Sequence, residues 1–241
     1  MSRFFVQGIH QSGDVVTLGG SDAHKIVSVL RMHDGEAIEV IDSAAQRFSA
    51  TVTMDGRSVH ANLGERLPAA ANARHTITVA QGVPKGQKMD FVVEKLTELG
   101  AARIVPLESE RTVVTDVSAN KVERWRRLAK TAAQQCGRDT IPEITQPKRF
   151  ADLCETFANY DLVLLPWELA DRAPLRERLP ALLAATKNML ILIGPEGGFS
   201  HAEAEAAECA GAQLISLGSR ILRTETAALV VLSILNYLSE R

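Results

Sequence analysis

Aromatic side chains are scarce in this chain, with 2 Trp, 2 Tyr and 7 Phe among 241 residues. Proteins that grip single-stranded nucleic acid by stacking successive bases need many such rings, so extensive base stacking is excluded. Cysteine is scarce too, and Cys136, Cys154 and Cys209 lie far apart. They form no CxxC pair and no disulfide framework, which points to a reducing cytoplasm and to three half-buried small apolar side chains. His10, His24, His33, His60, His75 and His201 show no ligand spacing with Cys, Asp or Glu, so no metal is expected. No run of about 18 apolar residues occurs, so no segment is expected to span a membrane. The opening "MSRFFVQGIHQSGD" lacks the apolar stretch and cleavage site of a secretory signal.

Neither sign of charge dominates, since the formal net charge is −2. Its distribution is uneven. Residues 1–70 carry 6 Lys/Arg against 8 Asp/Glu, residues 71–150 carry 14 against 9, and residues 151–241 carry 7 against 12. A basic middle third between acidic flanks could collect phosphates, or could be a set of solvated helix faces. With 46% hydrophobic residues, the chain can bury one large core or two modest ones.

Two patterns follow one another along the chain. The first reads as short β elements, "RFFVQG", "VVTLG", "AIEVIDS", "RFSATVTM" and "SVHANLGE", with tight turns at Asp34-Gly35 and Asp55-Gly56. One helix, "SDAHKIVSVLRM", interrupts them, with Ser21 as N-cap and Ile26, Val29 and Leu30 on one face. Together these suggest a small barrel-like β domain. "GERLPAAANARH", residues 64–75, is the linker candidate.

Strands then alternate with helices. "HTITVAQG", "ARIVPL", "YDLVLLP", "NMLILIGP" and "AQLISLG" read as strands. "KMDFVVEKLTELG", "ANKVERWRRLAKTAAQQCG", "FADLCETFA", "APLRERLPALLAA", "SHAEAEAAECAG" and the C-terminal segment read as helices. Alternation of this kind implies crossover connections and a mainly parallel sheet covered on both faces, an α/β class. Strands as apolar as "DLVLLP" and "MLILIG" suit a sheet buried on both sides.

Ligands of open α/β sheets bind beyond the carboxyl ends of the strands. Three such ends stand out: Leu165 to Glu168, Ile193 to Gly198, and Leu217 to Arg220. The second is glycine-rich and precedes a capping box, Ser200-x-x-Glu203. It lacks the Lys-Ser/Thr of a P-loop and is no GxGxxG, and Glu196 would repel an anion. It therefore suits a neutral or cationic small molecule, or is a tight turn without a ligand. The third end leads into "RILRTETAAL", where Arg220, Arg223 and Glu225 precede an apolar helix. Unpaired charges there would be costly to bury. If the second and third strands are neighbours, these residues rim a pocket; otherwise they form an ion pair capping the last helix. Lys85, Lys88, Arg111, Arg124, Arg126, Arg127, Lys130 and Arg138 form the basic cluster of the middle third. Helix 119–137 is expected to bury Val122, Trp125, Leu128 and Ala132, leaving Arg124, Arg127 and Lys130 in solvent.

"LIGPEGGFS" followed by "LGSRILRTETAAL" resembles the RsmE family of ribosomal RNA uridine N3-methyltransferases, in the SPOUT superfamily. "VLRMHDGE", "KGQKMDFVVEKLTELG", "PLESERTVV" and "QQCGRDTIPEI" resemble further segments of that family, in order. The resemblance implies a PUA-like β-barrel over residues 1–70 that helps bind RNA. It also implies a SPOUT methyltransferase domain over residues 71–241, a trefoil-knotted parallel sheet flanked by helices. It implies S-adenosylmethionine as methyl donor, a homodimer, a cytoplasmic location and no membrane. The expected partner is small-subunit ribosomal RNA or the assembled small ribosomal subunit. Carried onto this chain, the donor would be held by Leu165, Pro166, Ile193, Gly194, Pro195, Glu196, Gly197, Gly198, Leu217, Gly218, Ile221, Leu222, Thr226 and Ala227. Arg223, Arg138 and Glu225 are the catalytic candidates, and Arg31, Lys85, Lys88, Arg111 and Arg220 the RNA-binding ones. Two other readings stay open: a SPOUT enzyme acting on a ribose 2′-hydroxyl or a transfer RNA base, and a non-catalytic RNA-binding assembly factor.

Overall fold

The structure is a computed structural model that describes residues 1–56, 58–69, 74–114, 116–170, 179 and 182–239. The chain divides into two compact units, Met1–Asn72 with Ala133–Thr140, and Ala73–Ala132 with Ile141–Arg241.

The first unit is built on a five-stranded sheet. Its strands are β1 (Arg3–Phe5), β2 (Val15–Leu18), β3 (Ala37–Ile41), β4 (Arg47–Asp55) and β5 (Ser58–Leu67), in the order β1-β3-β4-β5-β2. Alternation sets its inner face: Phe48, Ala50 and Val52 of β4 and Val59, Ala61 and Leu63 of β5 point inward, while Thr51, Thr53 and Gly64 face water. Phe4 and Phe48 anchor this core at 0% and 1% exposure, each contributing about 2–3 kcal/mol by apolar burial. β4 and β5 meet in a tight hairpin in which Asp55 pairs with Ser58 and Gly56 adopts φ +59°, as Asp-Gly signals. β5 runs through Leu67, so the linker expected from residue 64 begins as strand.

The predicted helix over 21–32 is shorter and differently wound. α1 spans Gly20–His24 and passes into a π-helical turn, Lys25–Val29. Gly19, not Ser21, occupies the N-cap, and no side chain caps it. The wider turn breaks the expected face. Ile26 is fully buried, but Val29 and Leu30 are exposed, and Arg31 takes the left-handed φ of +54°. Residues 133–140 pack with this unit for a visible reason. Arg3 donates to the Gly137 carbonyl and to Asp139, 2.8 Å away, and Gln134 donates to Asp22 at 2.9 Å.

The second unit carries a seven-stranded sheet whose paired neighbours are all parallel. Its strands are β6 (Thr76–Gly82), β7 (Arg103–Glu108), β8 (Glu143–Ile144), β9 (Lys148–Arg149), β10 (Leu162–Pro166), β11 (Asn188–Ile193) and β12 (Gln213–Ile215). The order is β12-β10-β11-β6-β7-β8, with β9 also on β7. Both faces are buried, which is why the strands are apolar throughout. On β11, Met189, Ile191 and Ile193 enter one core with helices α2 (Lys88–Glu98), α3 (Ala119–Cys136) and α6 (Thr224–Ser239). Leu190 and Leu192 enter the other with α4 (Phe150–Cys154) and α5 (His201–Cys209). Val122, Trp125 and Ala132 of α3 are buried and Leu128 partly so, while Arg124 is tied to Asp90. The short strands β8 and β9 escaped the periodicity reading because two residues carry no period. Most of the helix expected in "APLRERLPALLAA" lies outside the described residues. Cys136 and Cys209 are exposed and only Cys154 is partly buried, which corrects the expectation of three half-buried thiols. No helix among the described residues is long and apolar enough to cross a membrane.

The condition set for a shared pocket, that β11 and β12 be neighbours, is not met: β10 lies between them and pairs with both. Backbone ladders carry no sequence label, so apolar patterning could not order the strands.

Candidate functional site

The loops after β10, β11 and β12 converge beyond the carboxyl edge of the sheet, all within the second unit. A cleft of about 360 Å³ is walled by Pro166, Glu168, the whole stretch from Ile193 to Phe199, the turn from Ile221 to Thr224, Ala227 and Lys88. A second hollow of about 190 Å³ shares Pro166, Glu168, Ile221, Leu222 and Ala227, and adds Trp167 and the turn from Ser216 to Arg220. The third loop thus reaches the glycine-rich loop by arching past β10 rather than from an adjacent strand.

A polar bolt fixes this arrangement. Gln81, at the end of β6, donates from Nε2 to Thr224 Oγ1 at 2.7 Å, and Thr224 donates onward to the Gly194 carbonyl. Gln81 and Thr224 are both buried, so these bonds form in a medium where leaving them unmade would be expensive. Two glycines make the loop possible. A Cβ on Gly82 would collide with the backbone nitrogen of Pro195, and one on Gly194 would press to 3.0 Å against Gly198. The loop then enters α5 through the expected capping box. Ser200 Oγ accepts from the Glu203 N–H at 3.2 Å, and Glu203 accepts from the Ser200 N–H at 3.0 Å. The other Glu203 oxygen accepts from the Glu110 N–H at 2.8 Å, while Arg111 donates to the Gly197 carbonyl at 2.9 Å. The segment after β7 is therefore stitched to the glycine-rich loop.

The charges fall into three groups. Glu196 accepts from the Lys85 backbone N–H at 3.0 Å and lies 3.4 Å from Lys88 Nζ. Desolvation would raise its carboxyl, but hydrogen bonds from the Lys85 N–H, its own N–H and Lys88 outweigh that and hold it below the ordinary carboxylate range. Glu225 Oε1 lies 3.8 Å from the same Lys88, and its buried Oε2 has no hydrogen-bond partner among the described residues. The side chains of Arg223 and Glu168 have no hydrogen bond or ion pair among the described residues, and both residues line the cleft.

Most of the residues named from the sequence for the donor line this cleft: Pro166, Ile193, Gly194, Pro195, Glu196, Gly197, Gly198, Leu217, Gly218, Ile221, Leu222 and Ala227. Leu165 is wholly buried beneath it, and Thr226 points to solvent. Of the catalytic candidates only Arg223 is in the wall; Glu225 sits behind it, and Arg138 belongs to the first unit. Lys88 and Arg220 line the cavities, whereas Lys85, Arg111 and Arg31 are exposed outside them. Trp167, Glu168 and Ser219 lie in the strand ends singled out from the sequence without a donor role, whereas Gln81, Phe199, Ser216 and Thr224 were assigned no part in the site. A Gln near the end of a buried strand was the available signal for Gln81.

The wall presents polar and apolar surface in near-equal parts, with apolar side chains and a few placed charges, a mixture that suits an amphiphilic small molecule. It fits a donor bearing a sulfonium. A carboxylate without a cation is at hand, the buried Trp167 Nε1–H lacks an acceptor among the described residues, and no phosphate-binding lysine-serine pair is present.

Comparison with known proteins agrees with this geometry. The model of the RNA methyltransferase domain matches residues 71–236. The ribosomal RNA small subunit methyltransferase E of Bacillus subtilis is 30% identical, over 100% of this chain and 98% of its own length. A Neisseria gonorrhoeae protein of the same name, solved bound to S-adenosyl methionine, superposes with a TM-score of 0.85 at 27% identity, covering 99% of this chain and 98% of that one. A Legionella pneumophila protein solved with bound SAM gives 0.88 at 31% identity, covering 98% and 96%. The three converging loops, the match over most of the chain and the full-length relatives place this chain in the RNA methyltransferase family, among the ribosomal RNA small subunit methyltransferases E.

Proposed function

We propose that this protein transfers a methyl group from S-adenosylmethionine to N3 of a uridine in small-subunit ribosomal RNA, in the cytoplasm and as a homodimer. Residues 1–70 form a PUA-like barrel that helps bind RNA, and residues 71–241 a SPOUT domain whose chain passes through a trefoil knot. The observation that carries this reading is the convergence of the loops after β10, β11 and β12 on one cleft.

When bound, the donor supplies an electrophilic methyl group. The protein must prepare the other reactant. N3 of uracil is flanked by two carbonyls and protonated at neutral pH, so it is a poor nucleophile until that proton leaves. The charge that results spreads over O2 and O4, and a guanidinium in the cleft wall with no side-chain partner among the described residues is placed to stabilise it; Arg223 has that role. Arg138 is the second candidate, its guanidinium pulled below the ordinary range by burial, with the charge of Cys136 opposing. Glu225 orients Lys88, which in turn holds Glu196. Either Glu225 through water or another base takes the N3 proton. The backbone of Ile193 to Gly198 and the side chains of Ile221, Leu222 and Ala227 hold the donor and exclude water. The target base leaves its stack to enter the cleft. Arg31, Lys85, Lys88, Arg111 and Arg220 attract the phosphate backbone.

The test is incubation of the purified protein and donor with small ribosomal subunits lacking the modification, followed by mass spectrometry of the nucleosides. The expected product is 3-methyluridine. A methylated ribose, or no incorporation, overturns the reading.

A further inference from the structure

The cleft contains two carboxylates, and they are not equivalent. Glu196 is committed: Lys88 lies 3.4 Å away and the Lys85 N–H 3.0 Å away. Glu168 has no hydrogen bond or ion pair among the described residues. It is also the one acidic side chain in the wall of both hollows. It rests against the glycine-rich loop: a Cβ built on Gly198 would lie 3.1 Å from Glu168 Oε1, close enough to push the carboxylate aside by a few tenths of an ångström.

A negative charge with no partner among the described residues, shared by both hollows, favours a ligand that carries positive charge. The reaction proposed above changes ligand charge in just this respect. S-adenosylmethionine and S-adenosylhomocysteine share the adenosine, the amino group and the carboxylate, and differ by one methyl and the sulfonium charge. We infer that Glu168 is a specificity-determining residue that makes the cleft prefer the charged methyl donor over its neutral product. This inference rests on the methyl-transfer reading. Coulomb interaction falls off slowly with distance, so the preference does not require Glu168 to touch sulfur. Its consequence is that spent product leaves more easily than donor. Arg223 and Lys88 face the same cleft, and Arg220 the second hollow, with the opposite sign, and neither arginine is altered by a change at Glu168. Lys88 is offset by Glu196 and Glu225.

The experiment is isothermal titration of the full-length protein and of Glu168→Gln and Glu168→Asp. The probes are S-adenosylmethionine, S-adenosylhomocysteine and sinefungin, whose amine supplies a cation without a transferable methyl. Glu168 is exposed, so neither change threatens the fold. In Glu168→Gln the ratio of product Kd to donor Kd should fall by about threefold to fivefold, the scale of one solvent-screened ion pair. Sinefungin should weaken with the donor, Glu168→Asp should keep most of the wild-type ratio, and rising salt should shrink that ratio in the wild type and Glu168→Asp but not in Glu168→Gln. Equal weakening of all three ligands, or an unchanged ratio, overturns the inference while leaving methyl transfer standing. Failure of the wild type to bind any of the three overturns methyl transfer itself, and this inference with it.

Discussion

Arg223, Glu225 and Lys88 sit within a few residues of the same cleft, yet their surroundings assign them different work. Arg223 lines the cleft without a partner among the described residues, whereas Glu225 and Lys88 face one another at 3.8 Å. A positioned cation aimed at developing charge is worth about 10²–10³ in rate. Arg223→Ala should therefore lower kcat and kcat/KM together by about a hundredfold or more, the pattern of an interaction made only in the transition state. Steady-state kinetics on small ribosomal subunits checks this, and a raised KM at unchanged kcat would instead make Arg223 a substrate-holding residue. The sequence exposed the puzzle of charges before an apolar helix but could not say which of them meet. Its neighbour Thr224, given no role from the sequence, is buried and bonds both Gln81 and Gly194.

Among the elements, Glu203 ties the end of the glycine-rich loop to the segment after β7. One carboxylate closes the capping box of α5 and also ties down the Glu110 backbone, with only 8% exposure. Glu203→Ala would leave the buried Ser200 N–H and the partly buried Glu110 N–H without this acceptor, at a cost of about 1–3 kcal/mol. Thermal unfolding should show a clear drop in Tm. A Ser200→Ala, Glu203→Ala double variant should lose less than the two single losses combined, because the cap is reciprocal. Full additivity would mean that the two residues act separately. Capping boxes are legible in sequence because they are local; the stitch to Glu110 is not, since 93 residues separate the partners. The converse failure occurred at 21–32, where helical spacing was read correctly as helix, but the π-helical turn moved Val29 and Leu30 into solvent.

At the scale of the molecule, the basic middle third is less free than its charge suggests. Arg124 is held by Asp90, Arg126 by the Ile144 carbonyl, Arg111 by the Gly197 carbonyl and Lys88 by Glu196. Lys85 and Arg31 are exposed, with no side-chain partner among the described residues. If they meet phosphates, Lys85→Ala and Arg31→Ala should each flatten the log–log salt dependence of RNA binding by roughly 0.7, the value for one contact to a single strand. Lys88→Ala and Arg111→Ala should change it less. Filter binding across a salt series measures the slopes, and unchanged slopes for Lys85 and Arg31 would remove them from the RNA surface.

Apolar strands, helix starts, the hairpin at Asp55-Gly56 and the loops that bear the site all follow from local sequence, because each depends on groups within a few residues of one another. The order β12-β10-β11-β6, the meeting of Gln81 with Thr224 and the arrival of Glu168 beside Gly198 were settled only in three dimensions. Side-chain periodicity tells which face of a strand is buried; it carries no record of which strand lies alongside, since the hydrogen bonds that join them come from a backbone common to every residue.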